Sequence, residues 1–338
     1  MISINNKRTL RHVARVVCVS GLAVASLSAA PAQAQTQAPK WPDKTVRIIA
    51  AGPAGGSADI VARLMADNLA KDGGHAVVVD PKPGAGGVLA VNELSLAPHD
   101  GYTVMVGVNS LVSEIPHIVK LQKDMAKEIK PLAELARGGL VLVGTPSVPA
   151  KNFGELVSWV KANPGKVSYA SYTAGTISHV IGLQLNKAAG LDMTHVGYKG
   201  STPALTDVMG GHVPLMFDAM PSSLPMLKGG KIKAFAISTA KRSPLLPDVP
   251  TFAELGYPQL EATGWMGLWV KPDMPAAQQE RIREAALKVL QQPAVRERLQ
   301  DIGFEVGQPR SPEELSKTLA ADYQRMGTVL KSIDFRAE

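Results

Sequence analysis

Short β-branched runs alternate with amphipathic helical stretches along this chain, and the alternation begins twice. The first series predicts strands over residues 46–49, 76–79 and 102–106, separated by helices over 60–69 and 88–96. Apolar residues three and four positions apart indicate the helices, because that spacing places them on one helical face. Strand–helix–strand order at this spacing predicts α/β structure with parallel, doubly wound strands.

The second series begins near residue 149 and is followed by a helical C-terminal third. It predicts helices over 153–161, 177–185 and 203–209, and strands over 167–170, 194–196, 215–217 and 232–238. A returning strand over 265–270 precedes helices over 275–290, 294–299 and 313–333. This order predicts two lobes joined by two hinge crossings, with lobe 1 formed by 41–140 and 265–338 and lobe 2 by 141–264. A cleft between such lobes is a preferred ligand site.

The first 40 residues carry the signature of an exported protein rather than of a fold. Lys7, Arg8, Arg11 and Arg15 precede an apolar stretch over 16–30, and Ala32-Gln33-Ala34 supplies a small-residue cleavage site. This order predicts a secretory signal peptide over 1–34, cleaved after Ala34, and a linker over 35–40. The apolar stretch is shorter than the roughly 20 residues that span a bilayer, so we expect a soluble periplasmic protein.

Removal of that segment changes which partners the composition allows. Four of the 36 basic residues lie in it, so the formal charge falls from +7 to +3 against 29 acidic residues, and we expect no nucleic-acid partner. The only cysteine, Cys18, also lies there. The exported chain then has no disulfide, no thiol nucleophile and no thiolate metal ligand, and we expect neither metal nor cofactor.

Three glycine- or hydroxyl-rich turns stand at the ends of predicted strands, where open α/β sheets bind ligands. They span 52–59, 83–87 and 171–178, and each precedes a helix. Backbone N–H groups in such turns, together with a helix N-terminus, can hold an anion. Each turn alone is more often structural than functional. Their presence in both halves favours a site that closes between the lobes.

Known catalytic signatures are absent from the sequence. The turns lack the register of a dinucleotide-binding fingerprint, and neither a phosphate-binding loop nor a nucleophile elbow occurs. A remote alternative is a periplasmic hydrolase that uses Ser171 or Thr176 with His179. A structural histidine that hydrogen-bonds its loop explains His179 more simply, so we predict that the chain is not an enzyme.

Several motifs together resemble the receptors of tripartite tricarboxylate transporters, also called Bug receptors. They include Pro53-Ala54-Gly55-Gly56 with Asp59, Pro83-Gly84-Ala85-Gly86-Gly87, Tyr198-Lys199-Gly200 and Met216-Phe217-Asp218. The likeness runs from Trp41 to about Ile333. It implies a two-lobed periplasmic-binding-protein fold of the Venus-flytrap, type II-like kind, with a small carboxylate held in the cleft.

The resemblance also implies which residues bind the ligand. Carried over by position, the ligand-binding residues are Ala54, Gly55, Gly56, Ser57, Asp59, Asn109 and Ser110 from lobe 1, and Ser171, Thr176, Ser178, Tyr198 and Asp218 from lobe 2. Two departures bear on the ligand's identity. Gly52 stands where family members usually have an aromatic residue, and Tyr172 begins a bulkier stretch than usual, so bulk moves from one wall of the cleft to the other.

The resemblance implies a receptor that delivers its ligand to integral-membrane transporter subunits. We expect a monomer, which is the default for a receptor that must dock and release. An alternative from another class is a co-receptor that presents the ligand to a membrane signalling partner such as a sensor kinase. Loss of carboxylate uptake on deletion would favour transport, whereas intact uptake with lost gene induction would favour sensing.

Overall fold

The computed structural model describes residues 41–333 and Phe335, so the predicted signal peptide and linker lie outside the described residues. The strands are β1 (Val46–Ala50), β2 (Val77–Pro81), β3 (Thr103–Val108), β4 (Lys130–Gly144), β5 (Val167–Ser171), β6 (Met193–Gly197), β7 (Leu215–Ala219), β8 (Lys233–Ile237), β9 (Thr263–Val270) and β10 (Glu305–Val306). The α-helices are α1 (Ser57–Gly73), α2 (Val88–Ser95), α3 (Ser110–Ser113), α4 (Ile115–Ile118), α5 (Met125–Glu128), α6 (Phe153–Lys161), α7 (Ile177–Ala189), α8 (Ser201–Gly210), α9 (Met220–Lys228), α10 (Ala276–Gln291), α11 (Pro293–Asp301) and α12 (Pro312–Ser332). Short 3₁₀ turns occupy Ala85–Gly87 and Pro258–Leu260.

The strands form two half-sheets that share one long strand. Their order is β2-β1-β3-β9-β4-β7-β5-β6, and both β8 and β10 also pair with β4. The first part of β4 pairs with β9 as far as Gly139, and its last five residues, from Leu140, pair with β7. We call the side with β1, β2, β3, β9 and β10 lobe one and the side with β5–β8 lobe two. The two-lobed α/β fold predicted from the sequence is confirmed.

Parallel pairing is confined to the outer strands. The pairs β1–β2, β1–β3, β5–β6 and β5–β7 are parallel, whereas β9 runs antiparallel to β3 and β4, and β4 runs antiparallel to β7 and β8. The sequence reading predicted parallel strands in general. It missed the antiparallel centre because β4 itself was not predicted: Pro131, Gly138 and Gly139 interrupt its apolar pattern, and such residues usually mark strand ends.

Each half-sheet is covered by apolar side chains on both faces. In lobe one, α1 and α10 pack on one face around Ile48, Met65 and Ile282, while the other face holds Trp265 and Trp269. In lobe two, one face carries Tyr169 and Phe217 and the other carries the cluster around Met216. None of the helices in the described part of the chain has the length and apolar character needed to span a membrane.

A close approach of α7 to β5 fixes the position of the loop between them. Gly182 lies in the middle of α7, and a Cβ added there would lie 2.1 Å from Cε2 of Tyr169. The Tyr169 hydroxyl donates to the carbonyl of His179, 3.1 Å away, so the ring cannot move without breaking that bond.

We therefore expect Gly182→Ala to lower the free energy of unfolding by about 1–3 kcal/mol, the usual cost of overpacking a core. Gly154→Ala on α6 is the matched control, because its Cβ would have only the Asn152 Oδ1 at 3.4 Å as a neighbour. It should leave stability unchanged or raise it slightly, since alanine favours a helix. Chemical denaturation of the two variants measures the difference, and equal stabilities would contradict the steric argument.

Candidate functional site

A cavity opens between the two lobes at the carboxyl ends of β1, β3, β5 and β7. Both lobes contribute to its wall, and three of the turns singled out from the sequence meet there. The lining residues are Ala51, Gly52, Pro53, Gly56, Ser57, Ala58, Gly84, Gly86, Gly87, Val108, Tyr172, Thr173, Thr176, Lys199, Gly200, Ser201, Ala219 and Met266. The structure thus brings Gly56, Ser57 and Thr176 of the predicted site into the lining of one cavity.

The N-terminus of α1 presents unpaired donors to this cavity. Its cap residue Gly56 has extended backbone geometry, and no side chain caps the helix. Ser57, the first helical residue, is buried, and its hydroxyl has no hydrogen-bond partner among the described residues. Buried polar groups are nearly always paired. An uncapped helix start with an unpaired hydroxyl is therefore a place where an external acceptor would be stabilised.

Asp59 organises the turn that precedes α1. Its Oδ2 accepts from the Gly55 backbone N–H at 2.9 Å and from the Arg63 guanidinium Nε at 2.9 Å. Asp59 is buried and is not among the residues that line the cavity. Ala54 and Gly55 also lie outside the lining, and the Ala54 carbonyl accepts from the Thr202 hydroxyl of lobe two at 3.1 Å. These three residues shape the turn and its contact with the other lobe.

The N-terminus of α8 faces the cavity from lobe two. Gly200 precedes the helix and Ser201 begins it, and both line the cavity. Asp218 fixes this end from behind, because its buried carboxylate accepts from the hydroxyls of Ser201, Ser222 and Ser223 at 2.6, 2.7 and 2.7 Å. Burial raises the pKa of Asp218 against the lowering effect of these three bonds. Asp218 therefore acts on the cavity through Ser201 rather than by lining it.

The hydroxyl-rich turn before α7 forms the lobe-two wall opposite α1. Thr176 lines the cavity, and its hydroxyl donates to the Thr173 carbonyl at 2.7 Å. The Ser178 hydroxyl donates to the Phe217 carbonyl and receives the Tyr172 backbone N–H at 3.4 Å. Ser178 thus ties the turn to β7 and does not line the cavity.

Ser171 and two histidines lie behind that turn. The Ser171 hydroxyl is 2.7 Å from Nε2 of His195, and the His195 ring stacks on His179 with centroids 3.6 Å apart. Burial lowers the pKa of His179 to about 3, with a smaller effect of His195, and lowers that of His195 to about 4, so both rings are neutral at pH 7. His179 accepts from the Gly175 backbone N–H at 3.3 Å.

This geometry bears directly on the hydrolase alternative. Ser171 hydrogen-bonds His195 rather than His179, and Ser171, His179 and His195 are all outside the cavity lining. His179 supports the loop through its ring nitrogen, as the structural interpretation of the sequence predicted. The proposed pairing of Ser171 or Thr176 with His179 is not formed.

A second, smaller cavity, which we call the inner chamber, adjoins the main cavity. The two spaces share Val108, Tyr172, Ala219 and Met266 as lining residues. The other residues that line the inner chamber are Asn109, Ser110, Gly138, Gly139, Leu140, Ile177, Gly264, Trp265 and Phe304. Tyr172, the bulky residue that departs from the family pattern, thus lines both spaces.

Asn109 and Ser110, which line the inner chamber, already have partners. The Asn109 side-chain oxygen accepts from the Trp265 backbone N–H at 2.9 Å, and the Asn109 backbone N–H donates to the Trp265 backbone carbonyl at 3.0 Å. The Ser110 hydroxyl donates to the carboxylate of Glu114. Tyr198 lies in neither lining, and its hydroxyl donates to Asp207 on α8 at 2.6 Å.

The described lining of the main cavity carries positive charge and no negative charge. Lys199 is the sole charged residue among the described residues that line it, and no ion pair of Lys199 occurs in the described part of the chain. Sequence reasoning missed Lys199, Gly200 and Ser201, although Tyr198-Lys199-Gly200 is one of the motifs that resemble the family. Nothing local marks Ser201 as a cavity residue, because only the packing of α8 against β7 turns its N-terminus inward. Among the described residues, no cluster of three or more histidine, cysteine or acidic side chains could hold a metal ion.

Solved structures of similar proteins share this architecture. R. palustris Rpa4515 with adipate is 29% identical with a TM-score of 0.84, covering 88% of this chain and 100% of that one. The periplasmic binding protein BugD is 28% identical with a TM-score of 0.82 over 88% and 100% of the two chains. MatC from Rhodopseudomonas palustris with bound malate is 31% identical with a TM-score of 0.78 over 86% and 100%.

The sequence profile of one receptor family matches residues 61–335, most of the chain. That family is described as the tripartite tricarboxylate transporter family receptor, TctC. The two-lobed fold and the similar periplasmic binding proteins lead to the same assignment. The chain belongs to the tripartite tricarboxylate transporter receptor family, the TctC or Bug group of periplasmic solute-binding proteins.

Proposed function

We propose that this protein captures a small carboxylate between its two lobes and delivers it to the membrane subunits of a tripartite tricarboxylate-type transporter. The observation that carries the proposal is the meeting of two uncapped helix N-termini, those of α1 and α8, in a cavity whose described lining has no acidic residue. Helix N-termini carry a partial positive charge and free N–H donors, and both favour a bound anion.

The individual donors suit a carboxylate better than an uncharged solute. Ser57 offers an unpaired buried hydroxyl, the start of α1 offers backbone N–H groups, and Lys199 adds a full positive charge from lobe two. Hydrogen bonds to an ionised acceptor are about twice as strong as neutral ones. Two of the similar proteins were solved with dicarboxylates, Rpa4515 with adipate and MatC with bound malate.

Contacts across the mouth of the cavity support a binding mode in which the lobes close. Thr202 of lobe two donates to the Ala54 carbonyl of lobe one, and Gly200 approaches Pro53 so closely that a Cβ at residue 200 would lie 2.2 Å from Pro53 Cδ. We propose that residues 41–140 with 265–338 and residues 141–264 move as two bodies about β4 and β9. Closure then removes the ligand from water and strengthens each polar contact.

The same proposal includes where the protein works. Family members are periplasmic binding proteins, and we infer that this one reaches the periplasm by cleavage of its signal peptide after Ala34. We propose that it works there as a monomer, because a receptor that docks on and leaves a membrane partner needs no second copy to complete its site.

A thermal-shift screen of the mature protein tests the carboxylate proposal. Dicarboxylates such as adipate and malate, tricarboxylates, aromatic acids, amides and sugars are compared at equal concentration. A ligand at about 100 times its dissociation constant stabilises the folded state by roughly 2.7 kcal/mol, so a carboxylate of the right class should raise the melting temperature clearly. A shift with an uncharged solute and with no acid would contradict the proposal.

Ser57→Ala tests the place of α1 in the site. Because the Ser57 hydroxyl has no partner within the described protein, its removal should leave the melting temperature of the ligand-free protein unchanged. Affinity for the carboxylate found in the screen should fall on the order of ten- to a hundredfold, the usual effect of losing one hydrogen bond to a charged group. Ser158→Ala on the exposed face of α6 is the control and should bind with unchanged affinity. Unchanged affinity in Ser57→Ala would remove Ser57 from the site.

Gly200→Ala tests closure. Gly200 has φ +127° and faces Pro53 across the mouth, so an added Cβ should hold the lobes apart and weaken binding by at least about tenfold. Gly211→Ala at the other end of α8 also has a positive φ, +77°, but its Cβ would meet only Thr145 Oγ1 at 4.0 Å. Isothermal titration separates the two, because backbone strain alone would weaken binding equally in both variants.

A further inference from the structure

Glu114 is an acidic residue that the binding site described above does not use. It lies in lobe one between α3 and α4 and is 3% exposed. Its carboxylate accepts a hydrogen bond from the Ser110 hydroxyl, one turn earlier in the same segment. No ion pair of Glu114 occurs in the described part of the chain. An ionised carboxylate buried without a cation is costly, so this position needs a physical reason.

The other lobe packs against the segment that carries Glu114. Gly175 approaches so closely that a Cβ there would lie 3.3 Å from Cα of Ile115, and Gly175 has φ +84°. Burial raises the pKa of the Glu114 carboxyl, and the backbone N–H of Ile177, the first residue of α7, is near enough to lower it in part. Val180 of α7 packs with Ile118 and with Met326 of α12. Lobe two therefore packs beside Glu114 on one side, while α12 of lobe one faces it from another.

The groups that face Glu114 leave its charge largely uncompensated. Burial raises the pKa of Glu114, the Ser110 bond lowers it, and Asp322 of α12 raises it. Arg325 of α12 and the nearby Ile177 N–H lower it by smaller amounts. Tyr172 of lobe two is close enough that the charge of Glu114 raises the pKa of its phenol, which burial already keeps neutral. His117 of α4 turns to the Tyr323 carbonyl at 2.8 Å. Burial is the largest effect and raises the pKa of Glu114 to about 7.

We propose that Glu114 is a proton-linked latch between the lobes, protonated when the cleft is closed and ionised when it opens. The latch rests on the proposed function only in assuming that the lobes open and close. Opening separates Ile177 from Glu114 and admits water, which removes the main cause of the raised pKa. In the open form the pKa of the Glu114 carboxyl returns toward its ordinary value of 4.5. Closure in mildly acidic conditions therefore takes up a proton.

The direction of the pH effect follows from linkage. Between about pH 4.5 and 7 the closed form binds more protons than the open form, so closure becomes more favourable as the pH falls through that range. Above about pH 7 Glu114 is ionised in both forms, and below about pH 4.5 it is protonated in both forms. The pH dependence of closure therefore levels off at each end of this range. A receptor with this latch holds its ligand more tightly in an acidified medium and releases it more readily at neutral pH.

Energy transfer between two dyes measures closure without requiring a known ligand. The only cysteine in the sequence, Cys18, lies in the predicted signal peptide, so new cysteines at exposed positions can be labelled alone. Leu96→Cys on lobe one and Lys161→Cys on lobe two provide one exposed position each. The closed fraction is measured from pH 8 to pH 5, first without added ligand and then with adipate.

In the otherwise native protein, the ratio of closed to open molecules should rise on the order of tenfold from pH 7.5 to 5.5. Glu114→Gln keeps the shape of the side chain and removes the titration, so its closed fraction should not change with pH beyond any titration of adipate itself. Glu284→Gln, at an exposed position on α10, is the matched control and should behave like the native protein. The same pH dependence in Glu114→Gln and in the native protein would overturn the proposal.

A second variant keeps the test decisive if Glu114→Gln folds poorly. Ser110→Ala removes a bond that lowers the pKa of Glu114, so the midpoint of the pH dependence should move to higher pH. An unmoved midpoint counts against Glu114 as the titrating group. The ligand-free measurement also separates the two proposals. Failure of adipate to bind would count against its use as a ligand, whereas pH-independent closure in the native protein would count against the latch alone.

Discussion

The structure depends on one strand that belongs to both half-sheets. β4 pairs with β9 and β10 in lobe one and with β7 and β8 in lobe two, so its backbone hydrogen bonds join the two cores. Because this 15-residue strand continues through the junction, one unbroken backbone segment belongs to both cores. Irregularities in its pairing, at Pro131/Ala133, Glu134/Ala136 and Leu142/Val143, show where the ladder already departs from regularity.

This shared strand also sets the chemistry of the cleft. It aligns the carboxyl ends of the outer parallel strands of both lobes, so the helices that follow them begin at the cavity. α1 and α8 both begin in the cavity lining without a side-chain cap, and no arginine is among the described residues that line the cavity. The start of α7 differs, because its first N–H group lies near the Glu114 carboxyl of lobe one, whose pKa burial raises and this N–H partly lowers.

Several residues predicted from the family pattern hold the site together rather than line it. Asp59 fixes its turn through Gly55 and Arg63, Asp218 gathers three serine hydroxyls, and Asn109 joins β3 to β9. A polar residue at the end of a strand looks the same in a sequence whether its side chain faces a ligand or its own backbone. Only the positions of the neighbouring strands decide between the two, and those neighbours come from distant parts of the chain.

The sequence by itself determined the alternating elements, the two-lobed fold class and the anion-favouring turns, because periodicity and glycine placement act within a few residues of each other. Most helices and strands from β1 to α12 lie within a few residues of their predicted ranges. Tertiary structure alone decided that β4 crosses both sheets, that Ser201 and Lys199 face the cavity, and that Glu114 is buried against Ile177. Each of these depends on pairing or burial between segments far apart in sequence, and no local pattern records the electrostatic cost of such a contact.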